Sequence, residues 1–98
     1  MRFDWDKEKN ARNVRQRRID FHDASVVLRN PLSQTRTDRD SPPGDPRLQT
    51  VGFGTGPILF VVHTERDGDV VRIVSARRAK PSEIRQYERG EFGEETWF

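Results

Sequence analysis

Four arginines stand at the ends of apolar runs in this 98-residue chain: Arg47 ahead of one alternating segment, Arg66 at the end of the next, and Arg77 with Arg78 at the end of a third. If these runs are β-strands, side chains from separate segments can meet around one anion. A guanidinium group is a planar fork of donors that matches phosphate geometry and keeps its charge when partly buried. Several of them in a shallow groove would clamp a phosphodiester and stabilise the extra negative charge that develops during transfer at phosphorus. Neighbouring antiparallel strands run in opposite directions, so Arg47 and Arg66 can share one edge, whereas Arg77 points the other way unless twist or strand length intervenes. Each arginine taken singly reads more simply as a surface charge or a member of an ion pair.

Other groups could contribute. His63 lies in the strongest apolar run, and an imidazole titrates close enough to neutrality to move a proton at a sugar hydroxyl; it also reads as a half-buried packing residue. Tyr87 could stack on a base, or pair with Ile84 toward a core. Lys9 and Asn13, one helical turn apart, could touch phosphate or could tie a helix to a sheet. Glu65 and Asp45 are carboxylates that could act as bases or orient an arginine. Gly52, Gly54 and Gly56 form no phosphate loop, because no Lys-Ser or Lys-Thr follows and no helix begins there; they read as turn residues. Cysteine is absent, which excludes disulfides, thiolate metal sites and a thiol nucleophile. With only two histidines, far apart in sequence, no metal or other cofactor is expected.

Charge and length narrow the class. The chain carries 18 Lys plus Arg against 16 acids, and 15 of the bases are Arg. All the bases fall in residues 1–90, while residues 91–98 carry three acids and no base. A phosphate-bearing partner is the expectation, against the plainer reading of a solvated basic surface. Leu, Ile, Val and Phe number 23, enough for one thin core and a single domain. The longest apolar run, Ile58 to Val62, is five residues, far below the roughly 20 needed to cross a bilayer, and no apolar signal region opens the chain. A cytoplasmic protein with no membrane partner is expected.

The elements that must position these groups can be read in order. Phe3-Asp4-Trp5 is extended, and Asp6 caps a helix to about Arg18. Asp20 caps a second, Phe21 to Arg29, which stops before Pro31. A β-leaning stretch over Leu32 to Thr37 leads into a proline-rich loop over residues 38–46. Strands follow over Arg47 to Phe53, Ile58 to Glu65 and Val70 to Arg77, the last two joined by a turn at Asp67-Gly68. The strand beginning at Ile58 is apolar on both faces, so it is central. Pro81 opens a short helix that Gly90 closes. The expected architecture is α+β: residues 1–90 form one domain with helices packed on one side of a small antiparallel sheet, followed by an acidic tail, 91–98, carrying Trp97 and Phe98.

These residues suggest a family. Phe3-x-Trp5-Asp6-x-x-Lys9-x-x-x-Asn13, Phe21-x-x-Ala24, Asn30-Pro31, Asp45-x-Arg47, Gly52, Val61-Val62-His63-Thr64-x-Arg66, Arg72-Ile73-Val74-Ser75-Ala76-Arg77-x-Ala79 and Glu83-x-x-x-Tyr87-Glu88 together resemble the BrnT toxins over residues 3–89. The resemblance implies a RelE-like fold and metal-independent RNA cleavage, in which a ribose 2′-hydroxyl attacks the adjacent phosphate and translation is arrested. It further implies a cognate antitoxin that covers the basic groove and sets the oligomeric state. By position Arg47, Arg66 and Arg77 match the family's cationic residues, with Arg78 beside them, and the base would be His63 or a carboxylate. Three departures stand out: Gln16-Arg17-Arg18 replaces a Lys-His-Gly turn, Asp45 replaces a glutamate, and His63 replaces an aromatic. The alternative is a module of the same fold that binds RNA or a protein without chemistry.

Overall fold

The structure is a computed structural model describing residues 1–66 and 68–93; Asp67 of the expected turn, and Trp97 and Phe98 of the tail, lie outside the described residues. The elements are β1 (Arg2–Asp4), α1 (Lys7–Arg17), α2 (Phe21–Arg29), β2 (Gln34–Thr37), β3 (Leu48–Phe53), β4 (Ile58–Arg66), β5 (Val70–Arg78) and α3 (Pro81–Glu88). They form one sheet in the order β1-β5-β4-β3-β2. Four strands form an antiparallel set, but β1 joins β5 in parallel, with Arg2 opposite Val70 and Asp4 opposite Arg72. The sheet is therefore mixed rather than wholly antiparallel.

Local chemistry sets the helix ends. The Asp6 carboxylate accepts from the backbone N–H groups of Glu8 and Lys9, and that of Asp20 from the N–H of His22. Hydrogen bonding from these N–H groups holds both carboxyls below the ordinary carboxylate range. Helix α1 ends at Arg18, whose backbone is left-handed at φ 60° while its N–H still reaches the Val14 carbonyl. That conformation suits glycine and crowds a Cβ.

Packing divides at the sheet. Leu59 and Val61 of β4 face α2 and join Ile19, Phe21, Ala24, Val27, Ile73 and Ala76 in the main core, while α1 packs beside it on β5. The alternate residue Phe60 faces the other way and packs with Val51 and Phe92, flanked by Tyr87 and Ala79. Helix α3 thus lies on the face opposite α1 and α2, not beside them, because β4 carries apolar side chains on both sides and both need cover. Gly52 is a buried residue inside β3 rather than a turn residue: a Cβ there would collide with the Ser33 hydroxyl, which donates to the Val27 carbonyl at 2.6 Å.

Two substitutions test this account by chemical denaturation. Arg18→Gly should stabilise the fold by about 1 kcal/mol, because it relieves a left-handed non-glycine residue. Gly52→Ala should destabilise it by about 1–3 kcal/mol, because Ser33 must move from its hydrogen bond.

Candidate functional site

The face shared with α3, here the outer face, is only partly covered. Cross-strand register arranges its side chains in rows, two residues or about 7 Å apart along each strand. Gln34, Val51, Phe60 and Arg77 form the first row, under α3 and Phe92. Arg36, Gln49, Val62 and Ser75 form the second. Arg47 immediately precedes the Leu48–His63 pair and so falls opposite Thr64, which in turn pairs with Arg72 and, through it, Asp4. Arg66, paired with Val70 beside Arg2, ends the series. Every row carries an arginine.

The arginines differ in what engages them. Arg77 is committed to the protein: its two terminal nitrogens donate to the two Glu83 oxygens at 2.8 and 2.9 Å, and the guanidinium lies 3.9 Å over the Phe60 ring. Burial alone would raise the Glu83 pKa, but the Arg77 fork and the Lys80 N–H outweigh it and hold the carboxyl below its ordinary value. Arg72 meets Asp4 at 3.3 Å. Arg36 stacks 4.1 Å over Phe92 and donates through Nε to Gln49 at 2.8 Å, with no carboxylate paired to it among the described residues. Arg47 has only a long contact to Asp45, 3.7 Å, and its Nε is buried without a hydrogen-bond partner. The hydroxyl of Thr64, in the same row, is also buried and unpartnered. Two idle polar groups in one row, one of them cationic, suit an anion.

The remaining expected site residues lie elsewhere. His63 pairs with Ile73 and faces the main core, where its Nε2 meets the Thr50 hydroxyl at 2.8 Å and its Nδ1 is unpartnered. Burial pushes its pKa down to about 4, so it is neutral at physiological pH. Arg78 pairs with Leu59 and points to the inner face, away from Arg77. Tyr87 packs edge-on against Phe53, at 5.9 Å between ring centroids. Asn13 is buried, donating to the Ile19 carbonyl and accepting from the Ala76 N–H, so it ties α1 to β5. Lys9 lies beside it at the β5 edge. Arg47 and Arg66 do share one end of the outer face. Arg77 belongs to the same face but stands six residues along β4 from the Arg66 row, about 20 Å. Among the described residues no group of three or more His, Asp or Glu comes together to hold a metal ion.

Residues 5–83 match the family described as ribonuclease toxin, BrnT, of type II toxin-antitoxin system. The chain belongs to the BrnT family. Its fold also matches the crystal structure of the Brucella abortus ribonuclease toxin BrnT, with a TM-score of 0.60, 23% identity, and coverage of 82% of this chain and 97% of the Brucella one. No curated protein sequence matches significantly. As a toxin of a type II system, this BrnT-family chain has an antitoxin partner and an RNA substrate. Sequence reasoning gave no role to Thr64 or Arg36. The Thr64-x-Arg66 spacing, which places both residues on one face of a strand, was the available signal for the first.

Removing Arg77 should damage the fold before it touches chemistry. Arg77→Ala leaves Glu83 buried without its cation and should cost about 2 kcal/mol in urea denaturation. His63 binds a proton more readily unfolded than folded, so its contribution is complete above about pH 6.5 and is lost as pH falls toward 4. His63→Phe should therefore shift the acid-unfolding midpoint to lower pH, as followed by circular dichroism.

Proposed function

We propose that this BrnT-family toxin is a metal-independent endoribonuclease that cleaves RNA on the outer face of its sheet. The observation that carries the reading is that Arg47 Nε and the Thr64 hydroxyl, which fall in one row of an arginine-bearing series, are both buried without a hydrogen-bond partner. The scissile phosphate would sit against this pair. Arg47 would donate to a non-bridging oxygen and offset the charge of the phosphorane as it forms. Arg66 would hold the next phosphate along the strand. Asp45, beside Arg47, would take the 2′-hydroxyl proton. The freed 2′-oxygen attacks phosphorus, and the 5′-oxygen of the following nucleotide departs and takes up a proton, leaving a cyclic phosphate and a 5′-hydroxyl end. Neutral, core-facing His63 is not assigned the base role, and Arg77 acts by positioning α3 through Glu83 rather than on phosphate.

The cognate antitoxin would neutralise the toxin by covering this cationic face with acidic side chains, since it must offset the field that attracts RNA. Cleavage in the cytoplasm would inhibit translation. A series of cations about 20 Å long suits a single strand better than one isolated phosphodiester.

Expression of the chain without its antitoxin should arrest growth, and the purified protein should create new 5′-hydroxyl RNA ends. Arg47→Ala should reduce cleavage about 100- to 1,000-fold with an unchanged melting temperature, whereas Arg77→Ala should lower the melting temperature as well. RNA retention that weakens with salt, without new ends, would identify a binding module instead.

A further inference from the structure

We infer that the RNA strand leaving the cleavage face crosses the β5 edge and is held by a second phosphate-binding track on α1. The inference rests on the outer face being the cleavage face. Strand β1 pairs with β5 only as far as Arg72, because the chain turns at Trp5 to start α1 at the Asp6 cap. Past Arg72 the β5 edge has no strand beside it, and Asn13 of α1 caps the Ala76 N–H instead. Register jumps from Val62–Ser75 to His63–Ile73, so Val74 is an extra residue that bends β5 at this point. A cavity of about 170 Å³ opens there between α1 and β5, lined by Val74, Ser75 and the cationic side chains of Lys9, Arg12 and Arg17.

Ser75 connects the two surfaces. It ends the second row of the outer face and also lines the α1 cavity. No carboxylate lines the cavity, and Lys9, Arg12 and Arg17 form no ion pair among the described residues. Three unpaired cations with a single apolar neighbour, Val74, favour a polyanion over a protein, which would bury an apolar anchor. Repulsion among the cations is relieved when phosphates lie between them.

The test compares the parent chain with an Arg12→Ala/Arg17→Ala double variant on single-stranded RNA of about 4 and about 16 nucleotides. For the longer RNA the variant should bind about tenfold more weakly, and its log–log salt slope should fall by about 1.4, the change expected for two lost phosphate contacts at ~0.7 each. Cleavage of the short RNA should be unchanged. Identical salt slopes for parent and variant would overturn the track, as would a variant that loses antitoxin binding while holding long RNA normally. Failure of the parent chain to cut any RNA, with the salt-slope difference intact, would overturn only the cleavage reading. An Arg12→Glu variant with the parental melting temperature and a larger loss on long RNA supports the electrostatic origin independently.

Discussion

Strand β4 is apolar on both faces, and the rest of the molecule follows from covering it. On one side α2 and the inter-helix residue Ile19 supply enough Phe, Ile, Val and Ala to bury Leu59 and Val61. On the other side the short helix α3 and Phe92 reach only as far as Phe60 and Val51. A chain with so little apolar material cannot roof the second face along its whole length. The unroofed part is lined mainly by side chains that bear solvent well, and here these are arginine, glutamine and serine. An open polar sheet surface is thus a consequence of the small core as much as of selection for a ligand.

The Arg77–Glu83 fork marks the boundary between the two regimes. It fastens the start of α3 to the end of β5, and the guanidinium plane doubles as a lid over Phe60. At the far side of the same patch, Arg36 covers Phe92 in the same manner. Both cations shield aromatic rings while remaining at the surface. Arg47, by contrast, has neither a ring beneath it nor a close carboxylate, and this difference in company, not in residue type, sets it apart on this face.

Much of the architecture was legible in the sequence because local chemistry fixes it. Asp6, Asp20, Pro31, Pro81 and Gly90 bound the helices within two residues, and the alternation from Ile58 onward marks a central strand. Three features were not legible. The parallel pairing of β1 depends on a contact across nearly seventy residues of separation. Phe92 stands alone between glutamate and glycines, with no periodicity to announce a core residue. The side of the sheet taken by α3 cannot be deduced when both faces of β4 call for cover. For the site, the shared end of Arg47 and Arg66 and the opposite placement of Arg77 followed from strand direction. The inward orientation of His63 and Arg78 required the register, and the identification of Thr64 and Arg36 required knowing what each side chain touches.

The parallel β1–β5 contact also bears on how the protein is made. Strand β1 has its partner, Val70 to Arg72, nearly seventy residues further along the chain, and the residues that brace the outer face, Glu83 and Phe92, come later still. Helix α2 must wait for β4 and β5 before its apolar face has anything to cover. Assembly of the arginine-lined surface therefore waits for the last elements in the chain order, β5 and α3. A growing chain thus carries its two N-terminal helices before it carries that arginine-lined surface.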